Sequence, residues 1–477
     1  MWTARHCANP AEMRTAFPRP SASTRPCVLA KASFDDPAFL GLDFGTSGAR
    51  VCAIDDGKQV LLDVKRTYGA KDEDAKDPNV WKETMMGLLG DVPREIRERT
   101  VSIAIDGTSA TALLVDEATG EVLTRPKMYN EAQEADVVER VKNMAPPLHT
   151  TLAATSTLCK LMAWKQERAW DGVRNPRLLH QADWLASLLH NVRSCSDWNN
   201  ALKLGFEPAE EKYADWLLND KELSPLLPNI VAPPGAPMAE LSKSMAQRFM
   251  FPPTCVVCAG TTDSIAAFLA AGVTKPGEAV TSLGSTMAMK MISTQRVDNA
   301  TYGVYSHRLG DVWLVGGASN TGGAVLRAHF TDDELAKLSE EIDPSTSSNL
   351  DYYPLPSVGE RFPVCDPQMA PRMVPVPESR AEFLKAILEG IAKIEQRSYA
   401  LLLELGASPL QLVVTCGGGA QNATWNSIRH RVLGVPVQRS DKVEAAYGSA
   451  LLAMQGWRRR KLGEQMAASF PENSKAV

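Results

Sequence analysis

The sequence predicts an α/β protein of two domains facing each other across a cleft, and three observations carry that expectation. The chain has 477 residues, more than one hydrophobic core normally serves. β-Branched apolar runs alternate with helical stretches, the pattern of strands followed by helices. A strand, a small polar turn and a second strand at residues 39 to 54 return as the same design at 280 to 289, so each domain should offer one such loop.

The composition excludes several classes. Apolar residues make up 44% and charged residues 22%, which fits an ordinary globular protein. The net charge is −5, so no basic surface is offered to nucleic acid or an anionic membrane. No apolar run approaches the roughly 20 residues of a membrane helix. Small molecules are the expected partners. The nine cysteines follow no framework, and the Cys255–Cys258 pair lacks the second pair or histidines of a metal site. They are expected to be buried and reduced. Residues 1–36 differ from the rest. Arg5, Arg14, Arg19, Arg25 and Lys31 face only Glu12 before Asp35, hydroxyls are frequent, and no apolar core is present. That is the composition of an organelle transit peptide; a disordered cytoplasmic tail is the alternative.

The first domain is expected over residues 38–251. Phe39 to Phe44 and Ala49 to Ile54 read as strands around Gly45-Thr46-Ser47-Gly48. The glycines allow positive φ and close approach of a ligand, and free N–H groups in such a turn form an anion-binding concavity. Leu61 to Lys65 continues the meander. Asp77-Pro78 starts a helix bearing Trp81, Met85, Leu88 and Leu89. Val101 to Ile105 is a buried strand ending in Asp106-Gly107-Thr108-Ser109, and Thr111 to Asp116 forms another. Leu158 to Gln166 and Ala182 to Leu189 read as helices. Trp164, Trp184 and Trp198 are expected in the core.

The second domain is expected over 252–470, after Pro252-Pro253. Thr254 to Cys258 reads as its first strand, followed by the turn Gly260-Thr261-Thr262-Asp263 and a helix over Ile265 to Ala271. Val280 to Leu283 and Met287 to Met289 flank Gly284-Ser285-Thr286. Trp313 to Val315 is a strand, after which Gly316 to Gly323 should open a helix. A long helix covers 380 to 405. Leu412 to Thr415 is a strand running into Cys416-Gly417-Gly418-Gly419, and helices follow at 422 to 433 and 444 to 455. Asp43 and Asp263 each stand at the end of a strand beside a small polar turn. Such a carboxylate can hold a cation or take a proton. Asp263 could instead cap the helix that follows it.

Five stretches stand in a recognisable order over residues 40 to 455: Asp43-Phe44-Gly45-Thr46-Ser47-Gly48-Ala49-Arg50, Asp106-Gly107-Thr108-Ser109, Gly260-Thr261-Thr262-Asp263-Ser264, Ser282-Leu283-Gly284-Ser285-Thr286, and Cys416-Gly417-Gly418-Gly419-Ala420-Gln421-Asn422. Through them the chain resembles the FGGY family of carbohydrate kinases, within the actin-like, sugar kinase and Hsp70 ATPase superfamily. Within the family it is similar to the plant and cyanobacterial D-ribulose kinase group, formerly called xylulose kinase-like.

The resemblance implies two actin-like (ribonuclease H-like) domains with a nucleotide and sugar cleft between them, and ATP with Mg²⁺ as cofactors. It makes Asp263 the general base that takes the proton of the sugar hydroxyl. It places Asp43 near the γ-phosphate and Mg²⁺, at the edge of the substrate. Gly45, Thr46 and Ser47 would hold phosphate from one side, and Gly284, Ser285 and Thr286, with Gly323, from the other. Gly417, Gly418 and Gly419 would let the nucleotide lie on the backbone, with Gln421 and Asn422 beside the adenosine. Asp106, Ser109 and Ser264 would line the sugar site.

The chain also departs from the family. Lys160-Leu161-Met162-Ala163-Trp164 has one residue more than the first family signature, and Ala386 to Ile391 matches only the opening of the second. Asp106-Gly107-Thr108-Ser109-Ala110 stands where xylulose-type members have Gly-Gln-x-His-Gly, which places D-ribulose ahead of D-xylulose as the sugar. The same group implies a chloroplast location, with the cytoplasm as the alternative. The competing readings are a D-xylulose kinase, an actin- or Hsp70-like ATPase without a sugar substrate, and a non-catalytic sensor.

Overall fold

The computed structural model describes residues 36–469. The transit segment expected over 1–36 therefore lies almost wholly outside the described residues. The first sheet is built from β1 (Ala38–Phe44), β2 (Gly48–Asp55) and β3 (Val60–Thr67), which form an antiparallel meander. The chain then runs through α1 (Pro78–Asp91) to β4 (Thr100–Gly107), parallel to β1. Helices α2 (Thr157–Gln166) and α3 (Gln181–His190) follow. The sheet is completed by β5 (Pro237–Glu240), β6 (Val256–Cys258) and β7 (Thr261–Thr262), and α4 (Asp263–Ala270) leaves it. The strand order is β5-β6-β4-β1-β2-β3, with β7 also paired to β4.

The second sheet contains β8 (Glu278–Leu283), β9 (Met287–Ser293), β10 (Tyr305–Leu309) and β11 (Val312–Ser319). After α5 (Gly323–His329) and α6 (Arg380–Glu404) come β12 (Leu412–Cys416), α7 (Ala423–Leu433), β13 (Val437–Arg439) and α8 (Ala445–Ser469). Its order is β10-β11-β9-β8-β12-β13. The run β3-β2-β1-β4-β6 in one sheet thus repeats as β11-β9-β8-β12-β13 in the other, with the same parallel and antiparallel pairings.

The residues explain the layers. On one face of β1, Leu40, Leu42 and Phe44 pack against Trp81, Met85, Leu88 and Leu89 of α1. Each such side chain contributes roughly 1.5–3 kcal/mol on full burial. On the other face Phe39 meets Ala446, Ala450 and Ala453, the small residues at helical spacing on α8. Contact there is so close that a Cβ on Gly41 would stand 2.0 Å from the Ala446 carbonyl oxygen. In the second sheet Met287, Met289 and Met291 point toward Leu384, Ile387 and Ile391 of α6. The opposite face meets Ile265 and Phe268 of α4. Arg429 of α7 and Glu395 of α6, both fully buried, pair at 2.7 Å and bind Thr415 and Thr281, tying both helices to β8 and β12.

Two expectations about organisation change. The strand at 256–258 pairs with β4 in the first sheet, and α8 packs on β1 and α4, so the expected division at 251/252 does not follow the sheets. Residues 316–319 extend β11, and the helix begins only at Gly323. Parallel pairing to a distant strand leaves no local mark, and a glycine-rich stretch between neighbouring strands reads as a loop until its partners are known.

Candidate active site

Register brings Asp43 of β1 directly beside Asp106 of β4. Asp106 is fully buried; its Oδ2 accepts the Ser449 hydroxyl of α8 at 2.6 Å, and its Oδ1 has no partner. Burial pushes the Asp106 carboxyl well above the usual range, and burial raises Asp43 also. Two adjacent carboxyls in this setting require a proton or a cation between them. Asp106, expected in the sugar site, is thus buried in this structure beside Asp43.

The loop after Asp106 is held from below. Thr108 N–H donates to Gln181 Oε1 at 3.0 Å, and the fully buried Lys160 donates to the Ala110 carbonyl at 2.7 Å. Ala110 has the left-handed φ of 67°, a costly conformation for a residue with a side chain, and Lys160 fixes it. Burial lowers the Lys160 ammonium to about 7. Ser109 is half-buried at the end of this loop. Lys160 was visible in sequence only as part of a signature of irregular length.

Asp263 reaches the same place from the other side. Thr261 pairs with Asp106 and Thr262 with Gly107, so Asp263 emerges one residue beyond the strand ends as the first residue of α4. Thr262 occupies the cap position without a side-chain cap bond, and it is Asp263, the first helical residue, whose carboxylate accepts an amide of the first turn. The Asp263 Oδ1 accepts its neighbour's amide, Ser264 N–H, at 2.6 Å. Burial pushes the carboxyl up to about 6; Asp43 adds to this, while Lys290 and Lys203 oppose it.

Lys290 of β9 donates to the Ser264 carbonyl at 3.1 Å and its hydroxyl at 3.0 Å. Ser264, expected in the sugar site, is exposed but has this hydroxyl engaged. Lys290 itself is lowered to about 8 by burial. Sequence reasoning passed over it, although a single charge within the apolar strand Met287–Ser293 was a usable signal.

The two loops match in design. Gly45 N–H donates to the Gly48 carbonyl at 3.0 Å, and Gly284 N–H to the Thr286 carbonyl at 3.1 Å. In each, the hydroxyl residues Thr46, Ser47, Ser285 and Thr286 are exposed. Tyr68 hydroxyl donates to the Gly45 carbonyl. Gly323 N–H donates to the Gly284 carbonyl at 2.8 Å, and Arg327 donates to the Ser285 hydroxyl at 2.7 Å.

A cleft of about 860 Å³ opens beside the second loop. Gly284, Ser285, Gly323, Gly418, Gly419, Gln421 and Asn422 line it, with Leu326 and Leu335 as an apolar wall. Gly417 has φ of 84°, and a Cβ on Gly419 would come 2.7 Å from Trp425 and Leu283, so the floor is bare backbone. Asn422 is used structurally: its Oδ1 accepts Trp425 N–H and its amide donates to Ser339. Trp164, Trp184 and Trp198 are in the core as expected. Among the described residues no group of three metal-ligating side chains forms.

Residues 279–457 match the C-terminal domain of the FGGY family of carbohydrate kinases. A xylulose kinase of Staphylococcus epidermidis is 22% identical over 445 residues, covering 87% of each chain. An L-fuculokinase of Salmonella typhi is 24% identical over 445 residues, covering 88% of this chain and 91% of that protein. The crystal structure of a xylulose kinase from Rhodospirillum rubrum shares the fold with a TM-score of 0.74 at 21% identity, over 88% of this chain and 90% of that one.

Proposed function

We propose a specific reaction for this chain, which belongs to the FGGY family of carbohydrate kinases: transfer of the ATP γ-phosphoryl group to the terminal hydroxyl of a ketopentose, D-ribulose ahead of D-xylulose. The observation that carries it is the position of Asp263. It stands at the strand ends between the acid pair and the second sheet, with a carboxyl poised near 6, close to what a general base needs at neutral pH.

Phosphoryl transfer asks the protein mainly for positioning and charge neutralisation. The glycine floor and apolar wall of the 860 Å³ cleft fit a nucleotide, and the hydroxyls of the two loops fit its phosphates. Asp43, half-buried beside the unpartnered Asp106 oxygen, fits Mg²⁺ held through one protein carboxylate with phosphate and water oxygens. When bound, that ion would neutralise phosphate charge. Asp263 accepts the proton of the sugar hydroxyl, while Lys160 and Gln181 hold the 106–111 loop that faces the sugar. Small side chains at Ser109, Ala110 and Ser264 leave few polar partners to reject an epimer, which supports residual activity on D-xylulose. The basic, acid-poor leader supports a plastid location, and a fluorescent fusion to residues 1–36 tests it.

ADP release with and without pentulose tests the reaction. Strong dependence on sugar is expected. Sugar-independent hydrolysis would favour the ATPase reading, and absence of turnover the sensor. Comparison of kcat/KM for pentuloses, glycerol and sedoheptulose tests the sugar; faster turnover of glycerol or the heptulose would overturn it.

A further inference from the structure

A second cavity, of about 520 Å³, opens on the second sheet. That is room for a small metabolite. Its floor is open because Ala288, Gly316 and Ala318 present almost no side chain there. Lys290 and Arg361 bring two positive charges to its lining, and no Asp or Glu lines it. Among the described residues neither cation has a carboxylate within ion-pair distance: no salt bridge includes Lys290 or Arg361, although more than half of the described arginines have one. Tyr302 and Tyr305 add ring faces and hydroxyls. His307 lies at the same cavity, and burial together with Lys290 and Lys203 holds it far below the usual imidazole range, hence neutral. A guanidinium and an ammonium without a carboxylate partner, lining one cavity, are the recognition chemistry of a phosphate ester, which arginine can hold through two parallel bonds.

We propose that this cavity binds a small phosphorylated sugar between Arg361 and Lys290, at a site separate from the nucleotide cleft, and that its occupancy slows phosphoryl transfer. The route is Lys290. It is the side chain that ties β9 to Ser264, next to Asp263, so a phosphate that draws its ammonium away loosens the start of α4 and the base. This second step rests on the reading of Asp263 as the base; the binding step does not.

The test uses the full chain saturated with pentulose and a nonhydrolysable ATP analogue, titrated calorimetrically with D-ribose 5-phosphate, with D-ribose as the uncharged control. The phosphate is expected to bind and D-ribose not. Arg361→Ala should weaken binding at least tenfold and leave kcat without the probe unchanged, with Arg361→Lys in between. The phosphate should lower wild-type kcat without raising KM for the pentulose. No binding to the saturated enzyme, equal binding by Arg361→Ala, or displacement by pentulose would overturn the site. Binding without any change in kcat would overturn the coupling through Lys290. Failure of the base assignment would appear separately, as turnover retained by Asp263→Asn.

Discussion

At the end of β1, Asp43 lies beside Asp106 of β4; at the end of β8, Ser282 lies beside Cys416 of β12. The strand orders around the two pairs are the same, and each pair precedes a small polar loop or glycine run. Only the side chains differ. The acid pair in the first sheet is destabilised by burial and calls for a proton or a cation. In the second sheet burial raises the Cys416 thiol, which stays uncharged with Ser282 as its partner. One backbone framework thus carries a buried acid pair on one side and an uncharged pair on the other; under the proposed reaction the first suits a cation and the second an approaching polyphosphate.

The largest expected effect removes the charge that both sheets surround. Asp263→Asn should lower kcat by roughly 10²–10⁴-fold and leave ATP affinity intact, measured by steady-state kinetics and calorimetry. It should also stabilise the fold. Burial raises this carboxyl from 3.8 to about 6, so the folded state holds its proton more readily than the unfolded chain. Stability is therefore lost as pH rises from about 4 to 6, and at neutral pH the ionised group costs on the order of 3 kcal/mol. Thermal melts at pH 7 and pH 4 should show a gain for the variant only at pH 7. In the native protein, kcat/KM should fall below about pH 6 as the base is protonated.

Exchanging the pairs sharpens the comparison. Asp43→Ser puts the second sheet's residue into the first and should cost on the order of 100-fold in turnover, with loss of the response to Mg²⁺ concentration. Ser282→Ala should change kcat by less than about 3-fold, since a neutral partner can be replaced by another. Equal effects of the two would break the distinction.

Smaller still, Gly419→Val places a side chain against Trp425 and Leu283. It should raise KM for ATP about tenfold with less effect on kcat, the mark of lost ground-state binding. The smallest effect is expected from the leader: a chain beginning at Phe34 should match the full chain in specific activity, because the first strand starts at Ala38.

Much of the local structure of the candidate site was legible because its parts are local. A glycine turn between two apolar runs marks a loop whatever surrounds it, and Asp263 is recognisable from the four residues before it. The missed residues have no such neighbourhood. Lys290 matters because β9 faces α4, and Lys160 because α2 lies under the 106–111 loop. Asp106 reads as a cleft residue in sequence, and its burial and its bond to the Ser449 hydroxyl, 343 positions away, are set by the fold.

The sequence by itself determined the elements and the loops: apolar runs place β1, β2, β8 and β9, a 3.6-residue period places α6, and small polar turns place both glycine-and-hydroxyl loops. Tertiary structure alone decided which elements share a sheet and which carboxyls stay charged. The strand at 256–258 joins β4, and α8 returns to lie on β1 where Gly41 lets Ala446 and Ala450 come into backbone contact. The reason is range: periodicity reports which face of a segment is apolar, whereas pairing, helix contact and burial of charge depend on partners hundreds of residues away.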